Sequence, residues 1–193
     1  MKLYFEQRPF SWEDMYTIYD ETDQRAYQVK AEPDKKCNWI ILENRNGMEI
    51  GRVKCWKNLF GTWKFQILQD ETPIGTVEKI RAHGITRYIL NCNRWRVYGN
   101  ILGFEYDVFD GKYLVMHAGN EDNAYPGKYV IDTSYSNNEQ AALLVALAME
   151  AANSTLPSRK RERGKIEGFF PGQGRGQLHA AVPEKGEGKN RGI

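Results

Sequence analysis

Apolar and polar residues alternate in short runs along the first 135 residues, and each run is rich in Tyr, Trp, Ile and Val. This period of two is typical of strands with one buried face, and those residue types favour extended backbone. Four pairs of such runs repeat about every twenty residues, with polar turn residues inside each pair. The pairs are residues 16–20 with 27–29, 39–42 with 50–53, 65–68 with 74–77, and 106–109 with 113–115. The pattern predicts four β-hairpins.

The turns and the remaining runs extend this prediction to a whole sheet. Asn46-Gly47 and Asp110-Gly111 supply the positive φ that tight hairpins need. Further runs at residues 3–5, 87–90, 95–98 and 128–132 bring the total to about a dozen strands. Because an open sheet of this size leaves two exposed edges, the sequence favours a closed antiparallel barrel.

One apolar helix follows the strands, at about residues 137–152. Ser136 is a suitable N-cap, and Glu139 three positions later would complete a capping box. The helix would be roughly 24 Å long, and its middle is apolar on every side. A helix of this kind must be buried all round, and the sequence offers only strands to surround it. We therefore predict a mainly β fold, a barrel that encloses its own C-terminal helix.

Three motifs also resemble a known family. They are residues 10–14 leading into 16–20, Trp95-Arg-Val-Tyr-Gly99 followed by residues 104–110, and residues 129–132 ahead of the helix. In this order and spacing, over about residues 2–152, they resemble the LURP-one-related family of the tubby-like superfamily, which also includes the phospholipid scramblases. The resemblance implies a twelve-stranded barrel around a central C-terminal helix.

The sequence departs from the family pattern in two places. Arg94 stands where the family usually has a glycine before the tryptophan, and a long basic segment follows a helix that is usually terminal. Tubby domains bind phosphoinositide headgroups and scramblases are linked to calcium, but neither binding motif has a residue-by-residue match here. Neither activity is carried over to this chain.

The composition changes abruptly after residue 154. Residues 155–193 hold 8 of the 18 glycines and no Trp or Tyr, with nine basic and four acidic residues against 18 and 21 before them. Such a segment cannot bury enough apolar surface to offset the entropy of ordering the chain. We predict a folded domain over residues 1–154 and a disordered, basic, Gly-rich tail over 155–193.

The sequence favours a cytoplasmic protein without a membrane-spanning helix. Residues 1–8 lack the apolar stretch of a signal peptide, and the longest apolar run, residues 141–149, is far shorter than the roughly 20 residues of a spanning helix. The three cysteines have no CxxC spacing, which is consistent with reduced thiols.

Catalytic, metal and cofactor signatures are absent from the sequence. The three histidines have no metal-ligand spacing, and the glycines of residues 172–176 have neither a strand before them nor a helix after them. The acidic hairpin tips lack the ligand sequence of an EF-hand. A nucleophilic pair would require the fold to bring Cys55 or Cys92 to a histidine. We therefore expect no enzyme, no cofactor and no metal.

Three groups of basic residues are candidate contacts for a phosphate or an anionic headgroup. Lys54 and Lys57 flank Trp56, and Arg94 and Arg96 alternate with apolar residues so that they share one face. The tail contributes Arg159, Lys160, Arg161 and Arg163. The alternative for the barrel residues is an ordinary solvated outer face, and for the tail a solubilising extension.

Together these features predict a non-enzymatic tubby-like binding or scaffold protein, peripheral to anionic phospholipid membranes or bound to protein partners. The alternative is a nucleic-acid-associated protein, because the basic tail would be attracted to any polyanion.

Overall fold

The computed structural model describes residues 1–5, 15–34, 37–59, 61–82, 85–120 and 129–154. Its strands, in chain order, are β1 (Lys2–Phe5), β2 (Tyr16–Tyr19), β3 (Arg25–Pro33), β4 (Asn38–Asn44), β5 (Glu49–Lys57), β6 (Trp63–Gln69), β7 (Thr72–Ala82), β8 (Ile85–Cys92), β9 (Arg96–Asn100), β10 (Glu105–Asp110), β11 (Tyr113–Asn120) and β12 (Tyr129–Thr133). The helix α1 spans Glu139–Asn153, and 3-10 turns lie at Ile101–Gly103 and Ser136–Asn138.

All twelve strands form one antiparallel sheet in the order β8-β7-β6-β5-β4-β3-β2-β1-β12-β11-β10-β9. Strand β1 pairs with β12, with Leu3 opposite Ile131, so the first and last strands of the chain are neighbours. The predicted twelve-stranded barrel is confirmed, but it is nearly closed rather than closed. The two end strands, β8 and β9, border a gap that we call the seam.

The four predicted hairpins are confirmed as β2–β3, β4–β5, β6–β7 and β10–β11. Gly47 (φ 76°) and Gly111 (φ 60°) adopt the left-handed backbone that their turns require. The β6–β7 turn reaches the same backbone region without glycine, through Asp70 (φ 46°) and Glu71 (φ 63°). Asp tolerates this region better than most residues, which suits Asp70, whereas Glu71 has no such preference.

Helix α1 is buried all round, as its sequence predicts. Every residue from Leu143 to Met149 has no exposed surface. The helix contacts β5, β6 and β7 as well as β11 and β12, which lie far apart in the order of the sheet. Inward side chains such as Val53, Phe65 and Ile67 are fully buried and belong to the same apolar core as the helix. The strands therefore enclose the helix.

The helix passes close to the backbone of β5 at Gly51. A Cβ atom there would lie 2.6 Å from Cδ1 of Leu144 and 2.8 Å from the carbonyl oxygen of Leu68. Both separations are shorter than van der Waals contact. Gly51 therefore provides the space for this helix side chain.

The predicted capping box at the start of the helix is wrong. Ser136 begins a 3-10 turn, and Asn138, the residue before α1, makes no side-chain cap. The Glu139 carboxylate is buried and accepts a hydrogen bond from the hydroxyl of Tyr27 on β3. Burial, together with this carboxylate, raises the pKa of Tyr27. Because the Glu139 carboxylate bonds to Tyr27 of the barrel, it is not available for the capping box.

A second glutamate of the helix, Glu150, is also buried, although the sequence pattern indicates an apolar interior. It interacts with the ring hydroxyl of Tyr129, which lies 3.5 Å from the hydroxyl of Tyr106. Burial raises the pKa of Tyr129 and of Tyr16, and the nearby Glu150 carboxylate raises both further. The barrel interior thus contains a polar cluster of one carboxyl and three phenols.

The end of α1 lies against the seam. The Asn153 side chain accepts a hydrogen bond from the Tyr88 hydroxyl of β8 and donates one to the carbonyl oxygen of Ile101, just after β9. The Lys79 ammonium donates to the carbonyl of Ala152. One asparagine therefore bridges the two ends of the sheet from the helix side.

The predicted tail, residues 155–193, lies outside the described residues, and the boundary at 154 stays a prediction.

Candidate anion-binding surface

Basic side chains line the outer face of the sheet around β5. Val53 and Cys55 point inward and are buried, so Arg52, Lys54 and Trp56, which alternate with them, point outward. Strands β3, β4, β6 and β7 flank β5, and we call the outer face of these five strands the basic wall.

Most cations of the basic wall are paired with carboxylates on neighbouring residues. The ion pairs are Lys30 with Glu43, Arg52 with Glu49 and with Glu71 (both at 2.9 Å from Nη2), and Lys64 with Glu78 at 2.7 Å. The hydrogen bond with Glu49 also raises the pKa of the Arg52 guanidinium. These charges are compensated locally, so they attract an external anion only weakly.

Lys54 differs from these neighbours. Its Nζ lies 5.5 Å from the centre of the Trp39 ring and 5.9 Å from the Trp56 ring. Within the part of the chain that the structure describes, it makes no ion pair or hydrogen bond. Cation–π attraction stabilises the ammonium between two rings and leaves its three N–H donors for another acceptor. We call this group the Trp39–Lys54–Trp56 cluster.

The cluster differs from the one that the sequence indicates. Lys57, one residue after Trp56, points to the other side of β5, where its Nζ lies 5.8 Å from the Trp63 ring at the end of the strand. Trp39, which sequence reasoning missed, lies directly opposite Lys54 in the β4–β5 register. The Asn46-Gly47 turn alone would not have found this contact, because a register shift between Leu42 and Glu43 moves the pairing by one residue and brings Trp39 opposite Lys54 instead of Val53.

Arg94 and Arg96 lie at the seam rather than beside Lys54. A tight turn joins β8 to β9, in which the Trp95 N–H donates to the carbonyl of Cys92 at 2.7 Å. Trp95 is buried while Arg94 and Arg96 are exposed, as the alternation predicts. Arg94 has φ 60°, a left-handed backbone conformation that glycine adopts more readily than other residues. A non-glycine residue costs roughly 1–2 kcal/mol in this conformation.

The other sequence candidates do not form a reactive centre among the described residues. Arg159, Lys160, Arg161 and Arg163 lie outside these residues, as does His83. His117 faces outward from β11, and its Nδ1 lies 2.7 Å from Oδ1 of Asp107. Cys55 and Cys92 face inward, and burial raises the pKa of both thiols, that of Cys92 to about 11.

The described residues contain no group of three or more His, Cys, Asp or Glu side chains arranged to hold a metal ion. None of their helices combines the length and the apolar character of a membrane span.

Comparisons with known proteins agree with this architecture. The fold defines a class of proteins in which an antiparallel barrel encloses a C-terminal helix. The family model described as LURP-one-related matches residues 1–150. The chain therefore belongs to the LURP-one-related family, and the resemblance given by its motifs is confirmed.

A solved structure supports the fold independently. The X-ray structure of a protein from Arabidopsis thaliana is similar to this chain, with a TM-score of 0.51 and 14% sequence identity. The match covers 78% of this chain and 90% of that one. At this identity the likeness concerns the fold alone. No curated protein matches the chain in sequence.

Proposed function

We propose that this chain is a non-catalytic binding protein of the cytoplasm that lies on anionic phospholipid membranes. The Trp39–Lys54–Trp56 cluster is the proposed headgroup contact. The observation that carries the proposal is the contrast on the basic wall, where Lys30, Arg52 and Lys64 are paired with carboxylates and Lys54 is held only by two indole rings.

The cluster has the chemistry of a membrane interface. Tryptophan rings favour the headgroup level of a bilayer because they are apolar bodies with one polar N–H. A lysine near an anionic surface contributes about 1 kcal/mol of attraction, which salt weakens. Lys57, Arg94 and Arg96 are further proposed contacts of the same kind. Binding should therefore be modest, reversible and strongest at low salt.

Vesicle co-sedimentation of the full chain tests the proposal. Vesicles of phosphatidylcholine with phosphatidylserine are compared with phosphatidylcholine alone over a salt series. Lys54→Gln should lower the partition coefficient about fivefold, the equivalent of roughly 1 kcal/mol. Lys64→Gln is the matched control, because it removes the same charge from the same face but from a lysine already paired with Glu78.

If the partition coefficient falls equally in the two variants, only the net charge matters for binding, which would contradict a site at Lys54. Absence of binding to the anionic vesicles at low salt would refute the membrane role altogether. Substitution of Trp39 by Leu gives a separate check, since it removes the cation–π partner without changing the charge.

The nucleic-acid alternative rests on the excess of basic residues after residue 154. It predicts a salt-sensitive gel shift with duplex DNA or RNA. The shift should weaken strongly when Arg159, Lys160, Arg161 and Arg163 are all changed to Gln in the full chain. A shift that survives this change would assign the contact to the barrel.

A further inference from the structure

Each of the two end strands of the sheet has one edge that pairs with no other strand among the described residues. Strand β8 pairs with β7 over its whole length, from Gly75 opposite Cys92 to Ala82 opposite Ile85. Strand β9 pairs with β10. Within the described residues, no strand pairs with the other side of either β8 or β9. Alternate residues along the eight-residue strand β8 therefore point backbone donors and acceptors toward the seam, apart from the Cys92 carbonyl, which accepts from Trp95.

Strands β8 and β9 do not pair with each other, although a tight turn joins them. Trp95, in that turn, is buried in the core. Strand β9 ends at Asn100, where a 3-10 turn begins. On the helix side, the Asn153 side chain joins Tyr88 to the Ile101 carbonyl. Side-chain hydrogen bonds thus bridge the seam on the helix side, while neither strand edge pairs with another described strand.

The outer side chains along the seam alternate between basic and apolar. On β8, Arg87 and Ile89 both face outward, and Ile89 is 49% exposed. On β9, Arg96 and Tyr98 face outward, and Tyr98 is 54% exposed. The two arginines make no ion pair among the described residues. This differs from the basic wall, where carboxylates compensate most cations.

We propose that the β8 edge at the seam binds an extended acidic peptide segment of a partner protein, which adds to the sheet as a further strand. Main-chain hydrogen bonds would supply the affinity, as in other cases of strand addition. On the outer face of the added strand, a carboxylate would face Arg87 and an apolar residue two positions further along would contact Ile89, while Arg96 across the seam would attract a further carboxylate. A strand satisfies the unpaired backbone groups of the edge, which a lipid headgroup cannot do. This site is separate from the Trp39–Lys54–Trp56 cluster and shares only Arg96 with the further membrane contacts proposed above.

The probe is a labelled eight-residue peptide whose odd positions alternate between Glu and Val and whose even positions are Thr, so that one face of the strand carries both carboxylates and apolar side chains. Its binding to the full chain is measured by fluorescence anisotropy with no lipid present. The expected result is saturable binding. Arg87→Glu and Ile89→Lys should each weaken it roughly tenfold or more, since both change a central contact of the added strand. Arg45→Glu is the matched control, because Arg45 is exposed and pairs with Asp20 in the β2–β3 turn, far from β8 in the sheet order. Thermal melts equal to that of the parent chain confirm that the variants fold.

A second peptide separates strand addition from simple charge attraction. It has the same sequence, but every second backbone amide is N-methylated, so that one edge of the strand cannot donate hydrogen bonds. A third peptide carries the methyl groups on the remaining amides, which blocks the other edge. Loss of binding by at least one of these peptides is expected, because an added strand donates hydrogen bonds along one edge. Equal binding of all three peptides would overturn the proposal, as would no saturable binding of the first. Self-association of the chain that Ile89→Lys abolishes would also overturn it, since a second copy would then occupy the edge.

Discussion

Leu144, in the middle of the enclosed helix, gives a quantitative test of the barrel's core. Its side chain has no exposed surface and fills the space that Gly51 leaves open on β5. Removing a fully buried leucine side chain costs about 3–5 kcal/mol where the surroundings cannot collapse, and a helix enclosed by strands has little freedom to do so. Since a domain is typically stable by about 5–15 kcal/mol, Leu144→Ala should fold with much of its stability lost.

Leu144→Asp adds a second cost, because it places a carboxyl group among apolar side chains. Without a partner, this burial costs at least several kcal/mol, so the variant should be largely unfolded. Leu102→Ala is the control, since Leu102 is 59% exposed and its loss should change stability by no more than about 0.5 kcal/mol.

Urea denaturation followed by tryptophan fluorescence measures both effects, with buried Trp95 as one reporter. A loss of less than about 1 kcal/mol for Leu144→Ala would show that the helix is not enclosed as described. A Leu144→Asp variant that melts like the parent would lead to the same conclusion.

Three further predictions concern the interior. Gly51→Ala should destabilise the chain by about 1–3 kcal/mol in urea denaturation, because its Cβ would overlap Leu144 and the β6 backbone; a neutral effect would contradict the close approach. Tyr27→Phe should cost about 1–3 kcal/mol at neutral pH, since it removes the hydrogen bond to the buried Glu139, whereas an unchanged midpoint would mean that the bond contributes nothing. Cys92, with a pKa of about 11, should resist alkylation by iodoacetamide at neutral pH in the native chain and react in denaturant; rapid native labelling would show that the thiol is accessible.

Local sequence signals predict much of this fold because each strand carries its own pattern. The alternation in residues 39–42 and 50–53 marks the buried faces of β4 and β5, and Asn46-Gly47 fixes the hairpin between them. The uniformly apolar helix then requires an enclosure. These features act over a few residues, so a single sequence is sufficient to reveal them.

The features that sequence reasoning missed depend on distant partners. Trp39 and Lys54 are fifteen positions apart and meet only through the register of two strands. The burial of Glu139 depends on Tyr27, which is 112 residues away along the chain. The seam exists because β8 and β9, which are consecutive in the chain, do not pair with each other, and no residue pattern in either strand specifies this. Such features follow from tertiary packing and therefore appear only in the structure.

The pairing of β1 with β12 also has a consequence for folding kinetics. Lys2 lies opposite Asp132, so the sheet cannot be completed until nearly the whole described chain is available. The helix that fills the barrel comes later still, at Glu139–Asn153. Contacts this distant in sequence slow folding, because the chain must lose the entropy of a long loop before it gains them. During synthesis, the inner faces of the earlier strands would remain without their helix, so we expect slow folding and a tendency to aggregate until the last turn of α1 has been made.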